Sequence, residues 1–444
     1  MSQQTVPVSK PALRRFLGHA ALRLIISMIG LAILKLWNPL SSPDSTPANL
    51  FGLPGFYQGM LKQFARHESV RYTSTIEIDP KEMSTGRFST SNVCGQRLYL
   101  SELISALVDS PKAPRVIAVD KYFGETACAG DPAGKNNTQA LQQTFTAAKA
   151  KTDIVLGLSI DETAPVEQKW AIDRKLVGWH PNTRPLEPFY RFEDVDHGVV
   201  NLAGDSRQLP LEYSVLLPGD VPKIERREGF AWRVAHAYQP DNLPKLRPEF
   251  EPTDEAAPYV NFLDPQLLQR SKFSAFAVLC RLAPARAEKL GQDCRLAPQL
   301  PANLHLNPIV IIGEKTSEDK HDSPVGTLEG YLIHANYVEA LLDSRYFYRV
   351  PWLVNMLAML VMIVVVEIVI YRCTALAWYV PAILLVLLCL FFFIGELLLV
   401  QFAHILLAPF ISLPSFFAQA VEHFHTRANE WWQKQNPEPA EVPE

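Results

Sequence analysis

The sequence predicts an α/β fold: an extracytoplasmic, mostly parallel sheet covered by helices, joined to four transmembrane helices, one N-terminal and three C-terminal. Three observations carry this reading. Between residues 73 and 160, β-branched apolar runs alternate with stretches of helical periodicity, the pattern of a βαβαβ unit. One apolar run of membrane-spanning length precedes this region, and a longer apolar block follows it. Four of the six cysteines, Cys94, Cys128, Cys280 and Cys294, fall between the two, as expected of a segment in an oxidising compartment.

In chain order, residues 1–15 form a cytoplasmic N-terminus, and "FLGHAALRLIISMIGLAILKLW" at 16–37 has about the ~20 residues needed to cross ~30 Å of hydrocarbon. Lys10, Arg14, Arg15 and Arg23 lie toward its N-terminal end and set that side in the cytoplasm. A cleavable signal is the alternative, but no A-x-A-like site follows the apolar run. Residues 38–350 are then the extracytoplasmic domain, periplasmic in a bacterium.

Within it, "TSTIEID" (73–79) and "RVIAVDKYF" (115–123) are predicted strands, and "LYLSELISALVD" between them places Leu100, Leu103, Ile104 and Leu107 on one helical face. "QALQQTFTAAKAK" reads as a helix and "DIVLGLSI" as the next strand. "HGVVNLAGD", "YVNFL" and "PIVIIGE" are further strand candidates, and "IHANYVEALLDS" is a helix with Ile333, Tyr337 and Leu341 on one stripe. The proline-rich stretches 164–188 and 238–258 are read as loops, and "GDPAGKN" (130–136) as a turn. The short loops they close favour the pairings Cys94–Cys128 and Cys280–Cys294, four buried thiols being the alternative.

The apolar block resumes at Pro351 and is predicted to cross three times, at 351–371, 376–395 and 398–420, with a turn at Gly395 and Glu396. That parity returns residues 421–444 to the cytoplasm, beside Arg427 and Lys434, with Trp431 and Trp432 as an interfacial belt. Glu367, deep in the second span, is expected to face another helix as an intramembrane coupling residue, or to be a protonated packing residue.

Several blocks together are similar to a known family. In order they are "IEID"; the arginine-containing helix start "GQRLYLSELISAL"; "VIAVDKYF"; "HGVVNLAGDSRQLPLEYS"; and "IVIIGEKTSEDKHDSPVG…GYLIHANYVEALL". With the arrangement of one span before the domain and three after it, they resemble the CHASE type 2 (CHASE2) extracellular sensor domains. In the fourth block the family's usual D-G-x-x-R has lost its glycine and changed spacing. The resemblance implies a sensor, and the residues after the last span are too few for a kinase or cyclase domain, so the effector is expected on another chain.

A ligand-binding set is expected where strands end in carboxylates. Asp79 and Asp120 close two strands, Asp319, His321 and Asp322 follow a third in the polar stretch "SEDKHD", and His334 and Asn336 begin the next helix. The competing reading is that these residues cap helices and turns. His197, Asn201 and Arg97 are expected to hold loops to the sheet by hydrogen bonds.

No catalytic residue, metal or cofactor is expected: G-x-S-x-G and H-E-x-x-H are absent, and "GDPAGKN" lacks the spacing of a phosphate-binding loop. A net charge of −4 with dispersed lysines and arginines argues against nucleic acid. The expected partners are membrane lipid, an unidentified periplasmic ligand, a separate cytoplasmic effector or membrane-protein partner, and a second copy of the chain in a homo-oligomer. The second functional reading is an envelope structural or assembly subunit.

Overall fold

Strand segments with almost no exposed face imply a sheet covered on both sides, and the computed structural model has that architecture. It describes residues 69–349 apart from 84–92, 126–127, 129–131, 164–165, 203–205, 207, 218–220, 244–257, 302–303, 317–318 and 324, together with isolated positions between 357 and 432. The chain divides into two units, Pro54–Tyr346 and Met1–Leu53 with Phe347–Glu444.

In the first unit the elements follow as β1 (Thr73–Ile78), α1 (Val93–Val108), β2 (Val116–Tyr122), α2 (Pro132–Ala148), β3 (Asp153–Leu158), β4 (Arg184–Pro185), β5 (Asp196–Val199), β6 (Glu212–Leu217) and β7 (Lys223–Glu228). They continue with α3 (Phe230–Tyr238), β8 (Tyr259–Val260), β9 (Lys272–Ser274), α4 (Ala275–Leu282), β10 (Ile309–Glu314), β11 (Lys320–Ser323), β12 (Gly326–Glu329) and α5 (Gly330–Leu342). Among the described residues the main sheet has six strands in the order β5-β3-β2-β10-β1-β9, all parallel. Central β10, "IVIIGE", is apolar and buried at all but its last position, as a strand covered on both faces must be.

Side-chain alternation sorts the core into two layers. Ile76, Ile117, Val119, Val310 and Ile312 pack with Leu100, Leu103, Ile104 and Leu107 of α1, Leu141 and Phe145 of α2, and Val278 and Leu279 of α4. On the other face Val116, Ala118, Val155, Ile309 and Ile311 pack with Phe230 and Val234 of α3 and Tyr331, Ile333 and Val338 of α5. The predicted stripe of α1 is therefore one of several covered faces: from Cys94 to Val108 nearly every residue is buried, because α1 also lies against α2 and α4.

Several expectations are corrected. "GDPAGKN" is not simply a turn: α2 begins at Pro132, where a proline fits the first helical turn because no intrahelical N–H is needed there. "YVNFL" contributes only Tyr259–Val260 as strand. The stretch 164–188 contains a short helix, Gln168–Asp173, and β4. The β6–β7 antiparallel hairpin and the edge strand β9 carry so many charged and polar residues that hydrophobic periodicity does not mark them.

Both expected disulfides form, Cys94–Cys128 and Cys280–Cys294, with Cα–Cα distances of 5.7 and 5.4 Å. The first ties the start of α1 to the loop before α2, so closely that a Cβ on Gly134 would lie 3.0 Å from the Cys94 sulfur.

The spans expected at 16–37, 351–371, 376–395 and 398–420 lie outside the described residues except at isolated positions; among the described residues, no helix is long and apolar enough to cross a membrane. Glu367 is also outside them. In the second unit Leu357, Val361, Ile368, Ile383, Leu387 and Ile394 are helical with exposed apolar side chains. Gly395 is helical too, so the expected turn does not lie at that residue. Within the span expected at 398–420, β14 (Ile405–Leu406) pairs with β13 (Tyr346–Arg349) instead of being helical.

Candidate functional site

The direction in which the chain leaves each strand fixes where this sheet opens. β1 and β2 are followed by α1 and α2 on one face, whereas β10, between them, leads through the β11–β12 hairpin into α5 on the other. Crevices therefore form at the carboxyl ends on both sides of β10, the place where open α/β sheets hold ligands. Parallel register puts Glu77 beside Gly313, and Ile312 beside Val119, so Glu77, Gly313 and Asp120 form a row on the α5 face.

The β1–β10 crevice is filled by paired charges. Glu77 Oε2 accepts from Lys272 Nζ and from the Tyr331 hydroxyl, both at 2.6 Å. Lys315 Nζ lies 3.2 Å from Asp79 Oδ2 and 3.8 Å from Glu77 Oε1. The Asp79 Oδ1 accepts from the Lys81 amide at 2.9 Å. Burial raises the Asp79 carboxyl, but the Lys81 amide and the Lys315 ammonium together outweigh it and hold the group below its ordinary value. Burial and the bond to Glu77 push the Tyr331 phenol up. The Tyr331 side chain lies against β10, where a Cβ at Gly313 would run into it. On the opposite face Lys121 Nζ reaches Glu314 Oε2 at 2.6 Å, with Gln96 Nε2 at 3.4 Å from Oε1.

The β10–β2 crevice is different. Asp120, part-buried, has no side-chain hydrogen bond or ion pair among the described residues, and burial followed by the nearby charge of Asp319 raises its carboxyl well above the ordinary range. Asp319 is anchored from both directions: its Oδ2 accepts from the Gly330 amide at 3.2 Å, and its Oδ1 from His321 Nε2 at 3.1 Å. The contact at Gly330 admits no side chain, since a Cβ there would stand 2.5 Å from Asp319 Oδ1. The hydrogen bond that His321 donates to Asp319 raises the imidazole above its ordinary value against the opposing effect of burial; the charges of Asp319, Glu162 and Asp322 act in the same direction. This crevice thus presents one carboxyl able to donate or accept, one fixed carboxylate, and an imidazole inclined to carry charge. Among the described residues, no three His, Cys, Asp or Glu side chains are arranged to hold a metal ion.

The structure brings Asp79, Asp120, Asp319 and His321 to the carboxyl edge, with Asp79 in the filled crevice and also capping the short helix Pro80–Met83. It does not bring the other three there. "SEDKHD" leads into the β11–β12 hairpin, and Asp322, next to His321 on a strand, turns the other way to accept from Thr327 Oγ1 at 3.0 Å. His334 and Asn336 are not at a helix start: α5 begins at Gly330, placing both within its buried length. Asn336 Oδ1 accepts from the Leu263 amide at 2.8 Å, and His334 Nε2 donates to the Val200 carbonyl at 2.9 Å. Because that carbonyl can only accept, Nε2 holds the proton, and Nδ1 is buried without a hydrogen-bond partner among the described residues. Burial lowers the His334 imidazole to about 4.

Asn201 and Arg97 hold loops as expected, whereas His197, inside β5, packs against the Phe189 ring and its Nε2 has no hydrogen-bond partner among the described residues. Asn201 pairs with both backbone groups of Ile160, at 2.8 and 3.2 Å. Arg97, 1% exposed, donates to Thr138 Oγ1 at 2.6 Å and the Gly124 carbonyl at 3.2 Å beneath the Tyr190, Phe123 and Phe192 rings. Sequence reasoning missed Glu77, Tyr331, Lys272, Lys315, Lys121 and Glu314; the polar residue within "TIEI" and the "GEK" after an apolar run are the marks that could have found some of them.

A family model described as the CHASE2 domain matches residues 55–369. No curated protein and no solved structure matches the chain.

Proposed function

Since the chain belongs to the CHASE2 domain family, a family of extracellular sensory domains, we propose that it is a membrane-anchored sensor that reads its signal in the β10–β2 crevice and relays it to a separate effector. Asp120 carries the site assignment: among the described residues its carboxyl has no hydrogen-bond or ion-pair partner at a topological switch point, while Glu77 and Asp79 in the neighbouring crevice are paired. The signal is a small polar molecule that presents hydrogen-bond donors or positive charge, because Asp120 lies near Asp319, and Asp319, Glu162 and Asp322 all act on a single imidazole, that of His321. An oxidising, extracytoplasmic location is supported by the two disulfides. Membrane anchoring is supported by the apolar runs at 16–37 and beyond Pro351, and by apolar side chains exposed on helical positions from Leu357 to Ile394.

The test is thermal unfolding of the full-length chain with and without putrescine, in the native sequence and in Asp120→Asn with His321→Ala. A dose-dependent rise in melting temperature that the double variant loses supports the crevice. Equal rises in both proteins place the amine elsewhere, and no rise in either rejects a cationic amine as the ligand class.

A further inference from the structure

Helix α5 is gripped at both ends by carboxylates from other parts of its own unit or from itself. At its start Asp319 accepts from the Gly330 amide through both its carboxylate and its carbonyl, at 3.2 and 3.1 Å, and Tyr331 reaches Glu77. Nine residues on, ~14 Å along the axis at ~1.5 Å per residue, Glu339 is completely buried. Its carboxylate accepts from three successive amides, those of Arg71 at 3.2 Å, Tyr72 at 2.8 Å and Thr73 at 2.6 Å, and from the Thr73 hydroxyl at 2.9 Å. One turn later the Asp343 carboxylate lies 4.0 Å from the Arg71 guanidinium.

These bonds join the point where the chain comes into the Pro54–Tyr346 unit's sheet to the helix from which it leaves. All four bonds to Glu339 end on residues 71–73, so a shift or rotation of α5 strains them together. Residues 330–341 are all buried, so the helix cannot bow into solvent, and any shift of it would have to be between discrete packings.

We propose that α5 is the coupling element of this domain: the arrangement of Asp319 and Tyr331 at the crevice sets its position, and Glu339 transmits that position to residues 71–73. Resting on the sensor reading of the crevice, this names the route by which that site reaches both chain ends.

Hydrogen–deuterium exchange of the full-length chain tests it without any ligand. Glu339→Gln replaces an acceptor with an amide donor among N–H groups, and accelerated exchange of the amides at 71–73 is expected. Asp319→Asn and Tyr331→Phe alter only the crevice end, yet each is expected to accelerate the same amides, on the order of fivefold. Native-like exchange at 71–73 in both crevice variants overturns the coupling, and native-like exchange in Glu339→Gln overturns the latch. Tyr331→Phe keeps its ring on Gly313 and provides the reading if another variant fails to fold. A chain that ignores putrescine but shows the remote acceleration keeps the coupling and loses the ligand reading, so the two failures are distinct.

Discussion

Acidification should destabilise the fold through the buried, neutral imidazole of His334, and in the same direction through His197, which burial likewise lowers to about 4. The His334 imidazole is 3% exposed, lies against Phe230 and Tyr337, and among the described residues has one hydrogen-bond partner, the Val200 carbonyl. Burial holds it neutral to about 4, whereas in the unfolded chain it takes up a proton near 6.5. Between those values the unfolded state binds more protons, so stability falls as pH falls, and below about 4 the loss is complete. Two and a half units at ~1.4 kcal/mol each amount to about 3 kcal/mol. Asp120 and Glu339, whose carboxyls are raised in the fold chiefly by burial, work in the opposite direction and partly mask this in the native protein. The difference between the native chain and His334→Gln removes that masking, because both carboxyls are common to the two. Denaturant unfolding followed by tryptophan fluorescence should show the native chain ahead by roughly 1–2 kcal/mol at pH 7.5, the worth of a fitted, hydrogen-bonded side chain. By pH 4 the variant should lead by a similar amount. A native-minus-variant difference that stays constant from pH 7.5 to 4 would show that His334 titrates normally in the fold and refute the argument.

Two further outcomes follow from packing and loop closure. Gly313→Ala should destabilise the chain by about 1–3 kcal/mol, since the new methyl must displace the Tyr331 ring or the strand beneath it; an unchanged denaturation midpoint would mean the ring yields freely. Replacing Cys280 and Cys294 by serine should cost about 3 kcal/mol and replacing Cys94 and Cys128 about 4 kcal/mol, on loop lengths set by separations of 14 and 34 residues. Non-reducing peptide mass spectrometry should recover both bonds in the native chain, and free thiols at either pair would contradict the structure.

Individual residues show what could be read in advance. "IVIIGE" was legible as a strand candidate from its short, β-branched apolar run, and its lack of polar alternation fits the strand covered on both faces that the structure shows. Asp120 was placed at the carboxyl edge by position alone, because it follows an apolar strand within a βαβ pattern. Glu77 was invisible as a site residue: it lies inside a strand, and its partners Lys272, Tyr331 and Lys315 come from segments about two hundred residues or more away. Asp322 and His321 look equivalent in sequence, and only pairing with β12 turns one toward Asp319 and the other toward Thr327.

Local sequence thus determined the elements with strong periodicity and pointed to the family and to the two disulfide pairings that the structure forms, because each depends on hydrophobic pattern, motif order or short spacing along the chain. Tertiary structure alone decided that β10 lies between β1 and β2, and with it where the sheet opens. It also decided that His334 and Asn336 are buried supports instead of residues at a helix start, and that Glu339, an ordinary helix glutamate by its neighbours, grips residues 71–73. The physical reason is shared: a carboxylate or imidazole acquires its role from the donors and charges that distant segments bring to it, and those partners are set by strand order and register.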